Sequence, residues 1–360
     1  MNKINLYDLG LNEKLVEEAA MYDKNLYIAR VSIQYRNIYK VITEDGEIFS
    51  EVSGRLNYSS KAIYQYPAVG DWVLVDRKTD KNGNSIIYHV LTRKGCFERK
   101  VAGERTDSQV VAANIDTVFI CMSLNNDFNV RRLERYVSVA WDSKATPVIV
   151  LTKADLCNDT EAKLSEVQAV AIGVNTLITS SMFEEGYSSI KQYIEKGKTV
   201  AFIGSSGVGK STLINRIIEN EVLKTNGLRA DDKGRHTTTN RQLLFIPQGG
   251  IVIDTPGMRE LGLISANLDK SFSDIEELAL VCKFSDCRHE NEPKCAVREA
   301  IENGLLDEER LESYKKLQKE LKYSSLNSRE LEREKISSMF GSMSAMKEAR
   351  KFTKSKNRKR

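Results

Sequence analysis

The period of apolar positions changes three times along this chain of 360 residues. Near the N-terminus LNEKLVEEAAMY has the pattern of a short polar helix with no chemistry of its own. From about Leu26 to Arg93, β-branched and aromatic residues fall at near-alternating positions. The runs are LYIARVSIQYRNIYKVIT, GEIFSEVSG, DWVLVDRKTD and SIIYHVLTR, with EDGE and KNGN as turns between them. Five short strands over about seventy residues predict a small antiparallel barrel of oligonucleotide-binding type, an OB fold. A polar connection from Arg93 to Asp107 follows. Beyond it the continuous apolar runs TVFICMS, PVIVLT, TVAFIG and GIVIDT alternate with helical stretches such as VRRLERYVSVAW and KSTLINRIIENE. Continuous apolar strands between helices predict a buried, mostly parallel sheet, running to roughly Leu263. A helix-rich, cysteine-bearing segment comes next, and then a polar tail.

The expected architecture is therefore multidomain α/β. A helical segment spans 1–25, an OB-type barrel 26–100, an α/β domain 101–265, a helical domain 266–325 and a polar, basic tail 326–360. No internal repeat interrupts this order.

Composition narrows the classes. Hydrophobic residues make up 41% and charged residues 29%, as in a soluble globular chain. No apolar run is long enough to span a membrane, and MNKINLYDLG lacks the basic-then-apolar pattern of a signal peptide. With six cysteines and no export signal, reduced thiols or a metal are expected rather than disulfides, in a cytoplasmic protein. The net charge of +4 is unevenly placed. The last fourteen residues hold eight Lys or Arg against Glu348 alone, which leaves the body of the chain at −3. Such a tail is either a nucleic-acid contact or a solubilising terminus. On the barrel, Arg30, Arg36 and Lys40 alternate with Tyr35 and Tyr39, as a surface for phosphate contact and base stacking would require. A plain solvated strand face is the commoner meaning of that pattern.

Chemistry concentrates in the α/β block. Gly204-Ser205-Ser206-Gly207-Val208-Gly209-Lys210-Ser211-Thr212 fits G-x-x-x-x-G-K-[ST], follows the strand TVAFI and opens the helix STLINRIIEN. Its glycines let successive N–H groups face the β- and γ-phosphates at a helix N-terminus. Lys210 would neutralise the phosphate oxygens, and the Ser211 hydroxyl would ligate magnesium. Asp254-Thr-Pro-Gly257 closes the strand GIVID, where Asp254 can hold magnesium and the Gly257 N–H can meet the γ-phosphate. Between them Gly234-Arg-His-Thr-Thr-Thr239 suits a switch, with Thr238 or Thr239 completing the magnesium shell.

Thr152-Lys153-Ala154-Asp155 follows the strand PVIVL. A carboxylate there accepts from N1–H and the 2-amino group of guanine, donors that adenine lacks, while the lysine stem packs on the base. Thr179-Ser180-Ser181 can add a backbone N–H for the guanine oxygen. GTP and GDP are thus the expected ligands. Cys282-x4-Cys287-x-His289-x5-Cys295 supplies three thiols and an imidazole, the inventory of one closed structural zinc site. Cys121 and His89, by contrast, read as packing residues.

The base-reading element precedes the phosphate loop, the reverse of the usual order. That order, with the flanking barrel and cysteine cluster, resembles the ribosome small-subunit-dependent GTPase A family of circularly permuted GTPases. The resemblance covers about residues 26–325 and includes Val69-Gly-Asp-Trp72, Ala113-Asn-Ile-Asp116 and Gly234-Arg-His-Thr-Thr-Thr239. It implies GTP hydrolysis stimulated by the small ribosomal subunit, contact with its RNA through barrel and zinc domain, and a role in late subunit maturation. Two departures stand out. Thr152 replaces the commoner asparagine, which implies one weaker base contact while Lys153 and Asp155 remain, and Met258 stands where many GTPases carry a water-orienting glutamine. The resemblance makes His236 the candidate to position that water. A monomer away from membranes is expected. A nucleotide-gated RNA-binding scaffold with incidental hydrolysis is the alternative, and an adenine-nucleotide enzyme would require Asp155 to be idle.

Overall fold

A computed structural model describes residues 3–59, 63–81, 83–100, 108–180, 187–219, 241–247, 249–254, 268–325 and 330. The basic tail lies outside them. No helix among the described residues is long and apolar enough to cross a membrane.

The first five strands are β1 (Tyr27–Gln34), β2 (Tyr39–Thr43), β3 (Gly46–Val52), β4 (Trp72–Val75) and β5 (Ser85–Val90). β1 pairs with β2 and β2 with β3 antiparallel, β3 with β5 parallel, β5 with β4 antiparallel, and β4 returns to β1. This closed order is that of an OB barrel. Alternate side chains, among them Val31, Val41, Val73 and Ile87, fill its interior.

The aromatic and basic face expected on this barrel does not form as a unit. Tyr39 is in the barrel core and Arg30 is only 1% exposed. Arg30 lies over the Trp72 ring and donates to the carbonyls of Leu9 and Gly70 and to Thr199 Oγ1. Burial pushes its pKa down to about 10, against the pull of Asp116 and Asp71. Lys40 pairs with Glu47 at 2.9 Å, and Arg36 remains exposed. Alternation along a strand says which residues share a face, but not that a neighbouring domain covers that face.

The N-terminal segment is likewise more than a polar helix. Asn5 and Asn12 cap a turn of 3-10 helix, Leu6–Leu9, and the helix Glu13–Ala20 by accepting from Tyr7 N and Leu15 N. Leu6, Leu9, Leu11 and Leu15 are buried in the main core. The connection after Arg93 holds a hairpin, β6 (Cys96–Lys100) with β7 (Ser108–Ala113), anchored by the buried Phe97.

The remaining strands are β8 (Thr117–Ser123), β9 (Thr146–Thr152), β10 (Asn175–Ile178), β11 (Thr199–Gly204), β12 (Arg241–Phe245) and β13 (Ile251–Asp254). They lie in the order β10-β9-β8-β11-β13-β12, all parallel except β12. As expected for a two-sided core sheet, β9 and β11 are buried almost throughout. β12 also pairs with β1, at Ile33 with Gln242 and Gln34 with Arg241, so barrel and α/β sheet are continuous.

The C-terminal helices Ser273–Leu280, Ala296–Glu302 and Glu308–Ser325 are fastened to the helix Val130–Asp142 by a buried ion cluster. Arg310 donates to both oxygens of Asp274 at 2.7 and 2.8 Å and to Glu134 at 2.9 Å. The fully buried Glu134 side chain also accepts from Arg131 and Ser313. Burial holds its carboxyl above the usual range although all three partners oppose the shift.

Candidate functional site

Because β8, β9, β10, β11 and β13 are parallel, their C-terminal ends share one edge of the sheet, where α/β proteins place ligands. Gly204, Thr152, Ile178 and Asp254 end four of these strands. The phosphate loop, the base-reading turn and the aspartate are thereby brought to the same edge.

The loop after β11 has Gly204, Gly207 and Gly209 at φ values of 137°, 76° and 99°. A side chain at these left-handed positions would be strained, and a Cβ on Gly204 would lie 2.2 Å from the Cys121 carbonyl oxygen. The close approach explains why a glycine must leave the strand here. Val208 is buried, and the helix Lys210–Ile218 begins immediately after Gly209. The result is a concave run of backbone ending on a helix N-terminus, a shape suited to phosphate. Lys210 Nζ donates to the carbonyls of Gly204 and Ser205 at 2.7 and 2.6 Å, so its ammonium lies across the loop. Ser211 and Thr212 occupy the first turn of that helix. Beneath the loop, burial pushes the Cys121 thiol up to about 12, which makes it an inert packing group.

Thr152 ends β9 and is 3% exposed. Its hydroxyl donates to the Val208 carbonyl at 2.6 Å, tying the base-reading turn to the phosphate loop. A base contact made weaker by threonine was the sequence expectation, and this tie between the two loops was missed. Lys153 takes a left-handed conformation at φ 57° and leads into the 3-10 turn Ala154–Leu156. The Asp155 carboxylate accepts from Ser180 Oγ at 2.6 Å, and Ala154 N donates to the Thr179 carbonyl at 3.2 Å. Ser180 thus contributes a side chain where only a backbone N–H was expected. Ser181, Gly257, Met258, His236, Thr238 and Thr239 lie outside the described residues.

Two motifs quoted for the family resemblance meet away from this edge, at the joint between barrel and sheet. Asp71 is fully buried and receives two hydrogen bonds from Arg93, at 2.8 and 2.7 Å. The Asn114 amide donates to the Gly70 carbonyl at 3.1 Å, and Asp116 accepts from Thr199 N at 2.9 Å. The Asn114 bond joins barrel to sheet, and the other two brace either side of that joint.

Cys282, Cys287, His289 and Cys295 offer ligand atoms all within 4.8 Å of one another. Metal–sulfur bonds of about 2.3 Å and metal–nitrogen bonds of about 2.0 Å in a tetrahedron separate two sulfurs by about 3.8 Å, and sulfur from nitrogen by about 3.5 Å. The separations are 3.9 Å for Cys282 and Cys295, and 3.7 and 3.4 Å from His289 Nδ1 to those two sulfurs. The donor set therefore fits zinc. Cys295 also caps the helix Ala296–Glu302, and Lys315 donates to the His289 carbonyl, so the cluster is built into the helical packing.

Comparison with known proteins agrees with this geometry. The RsgA GTPase family model matches residues 90–264, and an ABC transporter model matches residues 187–349, a span that includes the phosphate loop but not the base-reading turn. Small ribosomal subunit biogenesis GTPase RsgA 2 of Lactiplantibacillus plantarum is 50% identical over 96% of this chain and 97% of its own length. The RsgA of Methanosarcina acetivorans is 40% identical over 96% of this chain and 93% of its own. Among solved structures, YjeQ from Thermotoga maritima matches with TM-score 0.61 and 29% identity, over 82% of this chain and 98% of that one. YloQ, described as a circularly permuted GTPase, matches with TM-score 0.58 and 26% identity, over 82% of this chain and 95% of that one.

Proposed function

The chain belongs to the RsgA GTPase family, and from that premise we propose that it hydrolyses GTP to GDP and phosphate in the service of small ribosomal subunit maturation. The observation that carries the guanine specificity is the pairing of loops: Thr152 bonds the phosphate loop while Ser180 orients Asp155. With one oxygen held by Ser180, the Asp155 carboxylate is set to accept from guanine N1–H and the 2-amino group. Lys153 supplies a stem for the base face, and Thr179 and Ser180 lie beside its oxygen. Backbone N–H groups from Ser205 to Ser211 cradle the phosphates, and Lys210 moves from the loop carbonyls to the phosphate oxygens. Ser211 and Asp254 would hold magnesium, which when bound neutralises charge on the β- and γ-phosphates. His236 is the proposed water-positioning residue and Thr238 a proposed third magnesium partner.

Zinc held by Cys282, Cys287, His289 and Cys295 would fasten the turns of the helical domain and take no part in hydrolysis. The names of the relatives support the small subunit as partner, and contact of its RNA with the barrel and the helical domain belongs to the same proposal. A scaffold with incidental hydrolysis finds no support in these comparisons. The test is GTP hydrolysis by the purified protein, alone and with small or large ribosomal subunits. Stimulation by small subunits only is the expected result. Equal stimulation by both, or by neither, overturns the partner assignment.

A further inference from the structure

Besides the Asn114–Gly70 bond at the joint, the barrel is attached to the nucleotide sheet through β1 at two places of different strength. Arg30 reaches from β1 to Thr199 Oγ1 at 2.8 Å, at the start of the strand that ends in the phosphate loop. That grip is fully buried, and Asp116 extends it by accepting from Thr199 N. The second attachment is the short pairing of β1 with β12. Ile33 lies opposite Gln242, and Gln242 lies opposite Asp254, so one row of cross-strand partners runs from the barrel to the aspartate at the site edge. The side chains that fasten this row are Gln34 and Arg241. Arg241 Nη1 donates to Gln34 Oε1 at 3.2 Å and to the Val110 carbonyl at 3.3 Å, and the Gln34 amide donates to the Pro67 carbonyl at 3.3 Å.

This second fastening is the weaker one. Among the described residues Arg241 has no carboxylate partner, only two neutral acceptors at long range. Burial and the like charge of Arg99 push its pKa down to about 10. The barrel is therefore held firmly to the phosphate-loop strand, whereas its link to β12 and Asp254 consists of a short strand pairing and these weaker side-chain bonds. Magnesium needs near-ideal octahedral geometry at about 2.0–2.1 Å, so a small shift of Asp254 relative to Ser211 changes how well the ion is held.

We propose that the barrel sets the position of Asp254 through β1 and β12, with Gln34 and Arg241 as positioning residues, so that a partner docked on the barrel tunes magnesium retention and GTP turnover. The inference rests on Asp254 and Ser211 as magnesium residues and deepens the partner reading above.

The experiment uses the full chain with Arg241→Met, Gln34→Met and the pair together, and it has two readouts. One is the magnesium concentration that gives half-maximal affinity for a non-hydrolysable GTP analogue, read by titration calorimetry without ribosomes; the other is the ratio of subunit-stimulated to unstimulated turnover. Each single variant is expected to shift the magnesium requirement by about two- to thirtyfold, the span of coupling effects in packed networks. Turnover at saturating magnesium should stay within about twofold, and the stimulation ratio should fall. The double variant should fall short of the sum of the singles, because both remove the Gln34–Arg241 bond although each also loses a separate one, to Val110 or to Pro67. Arg241→Lys, which keeps a donor, should retain most of the parental behaviour. An unchanged magnesium requirement, or additive effects in the double variant, overturns the proposal. If small subunits fail to stimulate the parent, the partner reading falls while the magnesium titration still decides the coupling. A melting curve identifies a misfolded Arg241→Met, in which case Gln34→Met carries the test.

Discussion

Thr152→Val removes a hydroxyl while preserving the shape of the side chain, so its main loss is the 2.6 Å bond between the base-reading turn and the phosphate loop, beside a marginal one to the Met122 carbonyl at 3.5 Å. Thr152 is 3% exposed and its Oγ1 lies 2.6 Å from the Val208 carbonyl oxygen. Valine opens no cavity, and the cost is a lost hydrogen bond plus a carbonyl deprived of that donor. Together these amount to about 1–3 kcal/mol. If the whole cost falls on the nucleotide complex, GDP affinity weakens by roughly 5- to 150-fold. Any part already felt in the free protein shows as a lower melting midpoint instead. Titration calorimetry with GDP, alongside a melt without nucleotide, measures both parts. Discrimination against ADP should persist, because Asp155 and its Ser180 partner are untouched. Affinity within twofold of the parent together with an unchanged melt would refute the idea that this bond joins the two loops.

Other consequences follow from the same geometry. Lys210→Ala or Ser211→Ala should abolish turnover in a single-turnover GTP assay, and undiminished hydrolysis would remove these residues from the site. Arg310→Met breaks a buried ion cluster, which costs about 3–5 kcal/mol and should lower the melting midpoint by several degrees. Burial already holds the Glu134 carboxyl above the usual range, so that group favours the fold when protonated and loses the contribution as pH rises through its folded value. Loss of Arg310 raises Glu134 further. The deficit relative to the parent should therefore be smaller at about pH 5 than at about pH 8, and a deficit independent of pH would contradict this account. Elemental analysis should find one zinc per chain, and chelation should lower the melt of the helical domain while GTP hydrolysis persists. A melt insensitive to chelation would argue against a structural metal.

The elements most legible in the sequence were those whose chemistry is local. Glycine at a left-handed φ, lysine at a helix N-terminus and three thiols with one histidine are each fixed by neighbours in the chain, so spacing alone reported the phosphate loop and the cysteine cluster. The barrel was legible for the same reason: alternation of apolar residues reflects a strand with one face inward. The hairpin at Cys96–Lys100 was hidden because CFERK is charged at three of its five positions and only Phe97 marks the buried side.

The contacts that stayed hidden join residues far apart in sequence. Arg30 reads as a surface cation until the strand that starts at Thr199 covers it, 169 positions later. Glu134 and Arg310 each look like exposed helix charges, yet they are buried against one another, 176 positions apart. Thr152 reads as a weakened base contact until the phosphate loop folds back over it. The sequence by itself determined which groups are candidates for the chemistry, because conformational preference and ligand chemistry act over a few residues. Tertiary structure alone decided which charges are buried, which domain grips which strand, and how the barrel connects to Asp254. Those outcomes depend on desolvation and cross-strand pairing, and both exist only once distant segments have come together.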